Sequence, residues 1–361
     1  MRLKLNILLV TLLALFSCAK ESGERGSDDQ GTGTLHVRFD IPANAGVTKV
    51  DGVSGGGYDG THNVLENDNI IWHGRLFLAD KVGNVVAYRK ASGNANAIKN
   101  SSAKEVITDI KRGDYKLYVF VNGSKKQAEI FDNAYPNPHK LSIDDLLKTK
   151  LSDHDLVGGN SPTFAEDEGL PCTFVTDVAI TAGNNYVDAH LERCVGRLTI
   201  KVLNNIPDRK LAIRSIGLSA DNPTNGYYFP SSSAVTKGAF PDLTETIVFA
   251  PNANKTIFDH YVYETDVLSE GLTFDLIGAV YSTTATVKFE NGSFSGEDKK
   301  ITRERRQIKI VDTYGDAQPL RQIKRNEHVT VSINIFYNRE LGEFDFEVSS
   351  WKKIDNTTTF D

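Results

Sequence analysis

Apolar and polar residues alternate along much of the chain with the two-residue period of strands that have one greasy face. Leu35, Val37, Phe39 and Ile41 alternate with His36, Arg38 and Asp40, and Pro42 closes the run. Arg75 to Asp80 and Val85 to Tyr88 flank Lys81-Val82-Gly83-Asn84, whose turn residues predict a hairpin. Tyr115, Leu117, Val119 and Val121 form the next alternating face, and Val187 to Val202 is extended, with a bulge expected at Gly196 where the phase slips. Further strands are expected at Ala212 to Leu218, Glu245 to Phe249, Leu272 to Tyr281, Thr284 to Phe289 and Arg306 to Val311. From His328 to Phe336 the pattern puts Val329, Val331, Ile333 and Ile335 on one face. One helix is predicted, capped by Ser142 with Asp145 three residues on, and with Leu146, Leu147 and Leu151 as its apolar stripe. Many short strands and one short helix predict a mainly β chain of packed antiparallel sheets.

The last stretch, Glu343 to Asp361, carries large apolar residues where chain ends usually fray in small polar ones. Phe344, Phe346 and Val348 alternate with acids and a serine, and Ser349-Ser350 then shifts the phase. Trp351 therefore falls on the other face unless a bulge realigns it, and Ile354 and Phe360 follow. Such residues must dock on something, either their own sheet or a neighbouring molecule.

Arg2 and Lys4 precede an apolar run from Leu5 to Phe16, too short for the roughly 20 residues of a membrane span. This is the pattern of a secretory signal peptide, over residues 1–17. Its end, Leu15-Phe16-Ser17-Cys18, resembles the bacterial lipobox, with cleavage between Ser17 and Cys18 and lipid on Cys18. Residues 18–33 are small, polar and charged, as expected of a flexible tether. The acids soon after Cys18 partly resemble the export signal that sends lipoproteins of the Bacteroidota to the outer face of the outer membrane.

The formal charge is −6; without Arg2 and Lys4 the basic count falls from 41 to 39 against 47 acids, giving −8. So mild a charge points to no nucleic-acid partner. The length after the signal suits two domains, divided near residue 190 into 34–190 and 191–361. Cys172 and Cys194 remain in an oxidising compartment, as a disulfide or as two buried thiols.

No chemistry-bearing motif survives its context. Gly55 to Gly60 matches G-x-G-x-x-G but sits in a polar loop without the strand and helix a dinucleotide needs. Arg112-Gly113-Asp114 spells an integrin-binding tripeptide at a place where a turn must lead into a strand. The basic run Lys299 to Arg306 suits a strand edge protected by charge. The histidines show no zinc-ligand spacing, and no metal, cofactor or enzymatic activity is expected.

Several of these pieces, in order, resemble the fimbrillins, the pilus subunits of the Bacteroidales. They are the lipobox and tether, the early strand Thr34 to Pro42, and Arg112 to Asn122 as a glycine-aromatic turn into a strand ending in Asn. Next come Leu191 to Leu198 as the joining strand, then Ile323 to His328 with its alternating strand, and Val348-Ser349-Ser350-Trp351. The resemblance implies two transthyretin-like antiparallel β-sandwiches and assembly by strand exchange. A surface trypsin-like protease cuts after the first strand, and the C-terminal strand of another subunit fills the opened groove. In that scheme Leu35, Val37, Phe39 and Ile41 are the plug, and Phe344, Phe346, Val348, Trp351, Ile354 and Phe360 belong to the donor. The partners are other fimbrial subunits, with the outer membrane reached through the lipid.

The family's shaft subunits usually carry an arginine in the loop after the first strand. Here Ala43 to Asn69 holds Lys49 and no arginine. Either a protease cuts near Lys49, giving a shaft subunit, or plug and lipid stay, giving a basal anchor; the shaft is favoured. The competing reading is a monomeric surface lipoprotein that binds glycans, which needs an exposed aromatic platform. Trp72 and Tyr227-Tyr228-Phe229 are the candidates, against core or turn roles for both.

Overall fold

The computed structural model describes residues 31–41, 70–91, 102–134, 142–151, 169–218, 222–223, 225–230, 237–238, 246–264, 273–296, 305–309, 320–338 and 343–354. The first half contributes β1 (Thr32–Asp40), β2 (Gly74–Ala79), β3 (Val85–Ala91), β4 (Ser102–Lys111), β5 (Gly113–Val121), β6 (Cys172–Ile180), β7 (Gly183–His190) and β8 (Glu192–Arg193). Then follow β9 (Gly196–Asn204), β10 (Arg209–Leu218), β11 (Asn222–Pro223), β12 (Lys237–Gly238), β13 (Ile247–Phe249) and β14 (Asn254–Val262). The last are β15 (Thr273–Ser282), β16 (Lys288–Glu290), β17 (Ser293–Ser295), β18 (Arg305–Lys309), β19 (Glu327–Asn338) and β20 (Glu343–Ile354).

In the first half a five-stranded sheet, β3-β2-β5-β6-β8, faces a three-stranded one, β4-β1-β7. Leu76, Leu78, Leu117 and Val119 meet Leu35, Val37, Phe39 and Ile107 in the core between them. In the second half the sheets are β14-β9-β19-β20 and β13-β10-β15-β18. Leu198, Ile200, Val202, Leu211, Ile213, Phe249, Val331 and Ile333 fill the space between those two. The alternating faces of β1, β5 and β19 are therefore the buried ones, as their patterns require.

A third cluster joins the halves. β5 buries both faces, Leu117 and Val119 on one and Tyr118 and Phe120 on the other. Phe120 meets Tyr228 edge-on at 4.9 Å, and Tyr118 meets Phe229 edge-on at 5.6 Å. Arg325 clasps the same segment, donating from Nη1 to the Tyr228 carbonyl and from Nη2 to that of Tyr227, each at 3.1 Å.

Some expectations change. Two helices, not one, stand among the described residues: α1 (Lys125–Ala134) and α2 (Ile143–Leu147). The second starts as expected, with Ser142 Oγ accepting from the Asp145 amide at 3.1 Å. The extended run 187–202 breaks between β8 and β9 instead of bulging at Gly196. Gly196 is there for close approach: a Cβ would lie 2.8 Å from the Lys324 carbonyl oxygen and 2.7 Å from Ile323 Cγ2. Of the strand expected over 284–289, only β16 forms.

Candidate functional site

β1 is the middle strand of its sheet, antiparallel to β4 and parallel to β7. Leu35, Val37, Phe39 and Ile41 are all essentially inaccessible, at 0, 1, 0 and 2 % exposure. Withdrawing them exposes apolar surface worth about 1.5–3 kcal/mol per side chain. Among the described residues β4 and β7 have no other ladder partner, so β1 alone makes them one sheet. Polar contacts fasten both its ends. Asn185 Nδ2 donates to the Thr34 carbonyl at 3.3 Å, and the Asp40 carbonyl accepts from the Leu191 amide at 2.9 Å. Outside, His36 stacks on Tyr186 with ring centres 5.0 Å apart.

β20 lies at the edge of its own sheet and pairs with β19 in one unbroken ladder from Asn338–Glu343 to Glu327–Ile354. Phe346 stands opposite Ile335, Val348 opposite Ile333 and Trp351 opposite Thr330. No bulge realigns Trp351, which stays out of step with Phe344, Phe346 and Val348. Trp351 and Ile354 thus share the subunit's own sheet with Phe344 to Val348 in this structure. Ser17, Cys18, Lys49, Gly55 to Gly60 and Phe360 lie outside the described residues.

Cys172 and Cys194 are both buried and are not joined to each other in this structure. The reason is register: Cys172 pairs with Arg193, so Cys194 is one residue out of step and faces the other side of the sheet. Cys172 joins the first-half core and Cys194 the junction cluster, where its thiol donates to the Tyr228 carbonyl at 3.1 Å. Burial pushes the Cys194 thiol up to about 11.

The aromatic platform does not materialise at Tyr227, Tyr228 and Phe229, which are 8, 2 and 0 % exposed. Trp72 is half-buried, its amide donating to Asn122 Oδ1 at 2.8 Å, while Asn122 Nδ2 donates to the Ile70 carbonyl at 2.7 Å. Asn122 thereby ties the end of β5 to the segment entering β2. Arg112 and Asp114 flank the β4–β5 turn, and Asp114 pairs with Lys81 at 2.8 Å.

Sequence reasoning missed a charged cluster behind β2. Asp132 on α1 accepts from Arg75 Nε and Nη2 at 3.1 and 3.0 Å, from the Tyr88 hydroxyl at 2.6 Å and from Lys90 Nζ at 2.8 Å. Burial raises its carboxyl, but those donors prevail and hold it at about 2. Arg75 Nη1 also donates to His73 Nδ1 at 3.1 Å, and burial, then the Arg75 charge, lowers His73 to about 4. No group of His, Cys, Asp or Glu among the described residues is arranged to hold a metal ion.

No family model matches the chain, and no curated protein matches it by sequence. Solved structures do match. An inferred cell adhesion protein from Parabacteroides distasonis is similar over 88% of this chain and 97% of its own, at TM-score 0.53 and 14% identity. The tip fimbrial protein Mfa3 from Porphyromonas gingivalis, truncated at its C-terminus, is similar over 89% of this chain and 100% of its own, at TM-score 0.52 and 12% identity. This is the fimbrillin fold. A third such structure, an inferred cell adhesion protein from Bacteroides eggerthii, covers 91% of this chain and 97% of its own, at TM-score 0.53 and 15% identity. The fold here is mainly β, as the alternation of apolar residues implies, with antiparallel ladders throughout the described strands except β1 with β7 and β9 with β19.

Proposed function

We propose that the chain is a structural, non-catalytic subunit of a cell-surface fimbria that polymerises by strand exchange and supports adhesion. The observation that carries this is the position of β1, whose apolar face is fully buried and which is the only ladder partner of β4 and β7 among the described residues. Its loss leaves a groove with two unpaired edges and an apolar floor, a site for strand addition. The other half of the exchange is β20, an edge strand whose departure leaves β14, β9 and β19 still paired.

In this reading residues 1–17 are the export signal, lipid on Cys18 holds the precursor at the outer membrane, and residues 34–190 and 191–361 form the two sandwich domains. A surface protease cuts near Lys49 and releases β1 with the tether. A shaft subunit both receives and donates a strand; a subunit that keeps β1 and its lipid donates only and serves as the basal anchor. The shaft role is the one favoured. N-terminal sequencing of the protein from sheared surface fibres tests it. A start in the 43–69 loop supports the shaft, and a lipidated Cys18 in the fibre makes the chain an anchor.

A further inference from the structure

The neighbourhood of Gly33 restricts what can stand where β1 stands. A Cβ there would lie 2.2 Å from the Thr181 backbone oxygen, 2.8 Å from Ile180 Cγ2 and 3.0 Å from Asn185 Nδ2. The nearest obstacle is main chain of the β6–β7 turn. Asn185 pins it, Oδ1 accepting from the Thr181 amide and Nδ2 donating to the Thr181 carbonyl, each at 3.1 Å. A strand following the path of β1 therefore needs glycine two residues before its first core-facing side chain.

β1 reads Gly33-x-Leu35-x-Val37-x-Phe39. The C-terminal segment repeats that spacing as Gly342-x-Phe344-x-Phe346-x-Val348, and residues 343–361 contain no other glycine. Resting on the exchange reading above, we infer that segment 342–348 of a second copy replaces β1 in the same direction, with Gly342 at the Thr181 carbonyl. Phe344 then stands level with Ile107 and Asn185, Phe346 with Glu105 and Val187, and Val348 with Ala103 and Ala189, the partners of Leu35, Val37 and Phe39.

The direction follows from the glycine: run the other way, the tail brings a side chain against the Thr181 oxygen. Over the first three positions Leu, Val and Phe give way to Phe, Phe and Val, a redistribution of similar total bulk, while at the fourth Ile41 gives way to the smaller Ser350. Charge does not choose. Arg38 stands level with Lys104 and Asp188, so Glu347 in its place gains the first as a partner and loses the second.

Full-length chains freed of β1 by proteolysis provide the test. One stock carries Glu105→Cys and the other Phe346→Cys; oxidation of the mixed polymer is expected to join them. Controls pairing Glu105→Cys with Phe344→Cys or Val348→Cys, two positions out of register, are expected to join poorly. Gly342→Val is expected to cut polymer yield about tenfold or more, the cost of overpacking a rigid site. Circular dichroism checks that this variant folds, and the cross-link, made with Gly342 intact, is independent of it. Polymers that join at a control position, or a folded Gly342→Val chain that polymerises normally, overturn the register and leave exchange standing. No polymer from the wild-type chain overturns both.

Discussion

Arg75 grips Asp132 through two parallel hydrogen bonds, Nε to Oδ1 at 3.1 Å and Nη2 to Oδ2 at 3.0 Å, with the Arg75 side chain only 3% exposed. The pair fastens α1 to the back of β2, behind the sheet that forms the floor under β1. Asp132→Ala leaves a buried guanidinium without its carboxylate, and a loss of roughly 2–4 kcal/mol is expected in urea unfolding. Unfolding unchanged within error would mean that α1 contributes little to this half.

The same cluster sets the response to acid. His73 is lowered to about 4 from 6.5, so the unfolded chain takes up that proton first and stability falls as pH drops from about 6.5 to about 4. Asp132 is lowered to about 2 from 3.8; its contribution is complete above 3.8 and is lost as pH falls towards 2. Denaturation midpoints measured across this range should show two successive declines. His73→Asn should flatten the upper one and Asp132→Asn the lower.

Reduction should change nothing. Cys172 and Cys194 are buried in different core clusters and are not bridged to each other. They are expected to resist alkylation in the native protein, to react in guanidinium, and to leave Tm unaltered by dithiothreitol. A fall in Tm on reduction would show a disulfide.

Core truncation in β1 should cost more than truncation on its outer face. Phe39 is wholly buried and packs on Gly74, its ring 3.3 Å from a Cβ built there, whereas Arg38 is exposed. Phe39→Ala is expected to destabilise by about 3–5 kcal/mol, and Arg38→Ala by less than about 0.5 kcal/mol. Thermal unfolding of the intact chain measures both.

What could be read from the residues depended on whether a strand keeps strict alternation. β1 and β19 do, and both patterns point to the buried faces. β4 does not: its buried residues are Ile107 and Ile110, three apart, because the register with β1 shifts between Gly33 and Leu35. β14 likewise buries Ile257 and Phe258 in succession across a shift between Thr256 and Phe258. Helix α1 does carry a sequence signal, Ser124-x-x-Gln127, in which Ser124 Oγ accepts from the Gln127 amide at 3.1 Å.

At the candidate site the apolar repeat of β1 was legible and its surroundings were not. Parallel pairing with β7 leaves no turn signature between the strands, since the partners are far apart in sequence. The demand for glycine at Gly33 comes from the Thr181 carbonyl, which only the folded chain brings alongside.

Strand exchange is tested most directly by cutting the chain after β1 and watching for polymer with and without β20. The cut chain with its tail should give a ladder that survives SDS and collapses on boiling, while the uncut chain and a cut chain ending before Glu343 should stay monomeric. A cut chain that sheds β1 and remains monomeric, or a ladder that persists without β20, would contradict it.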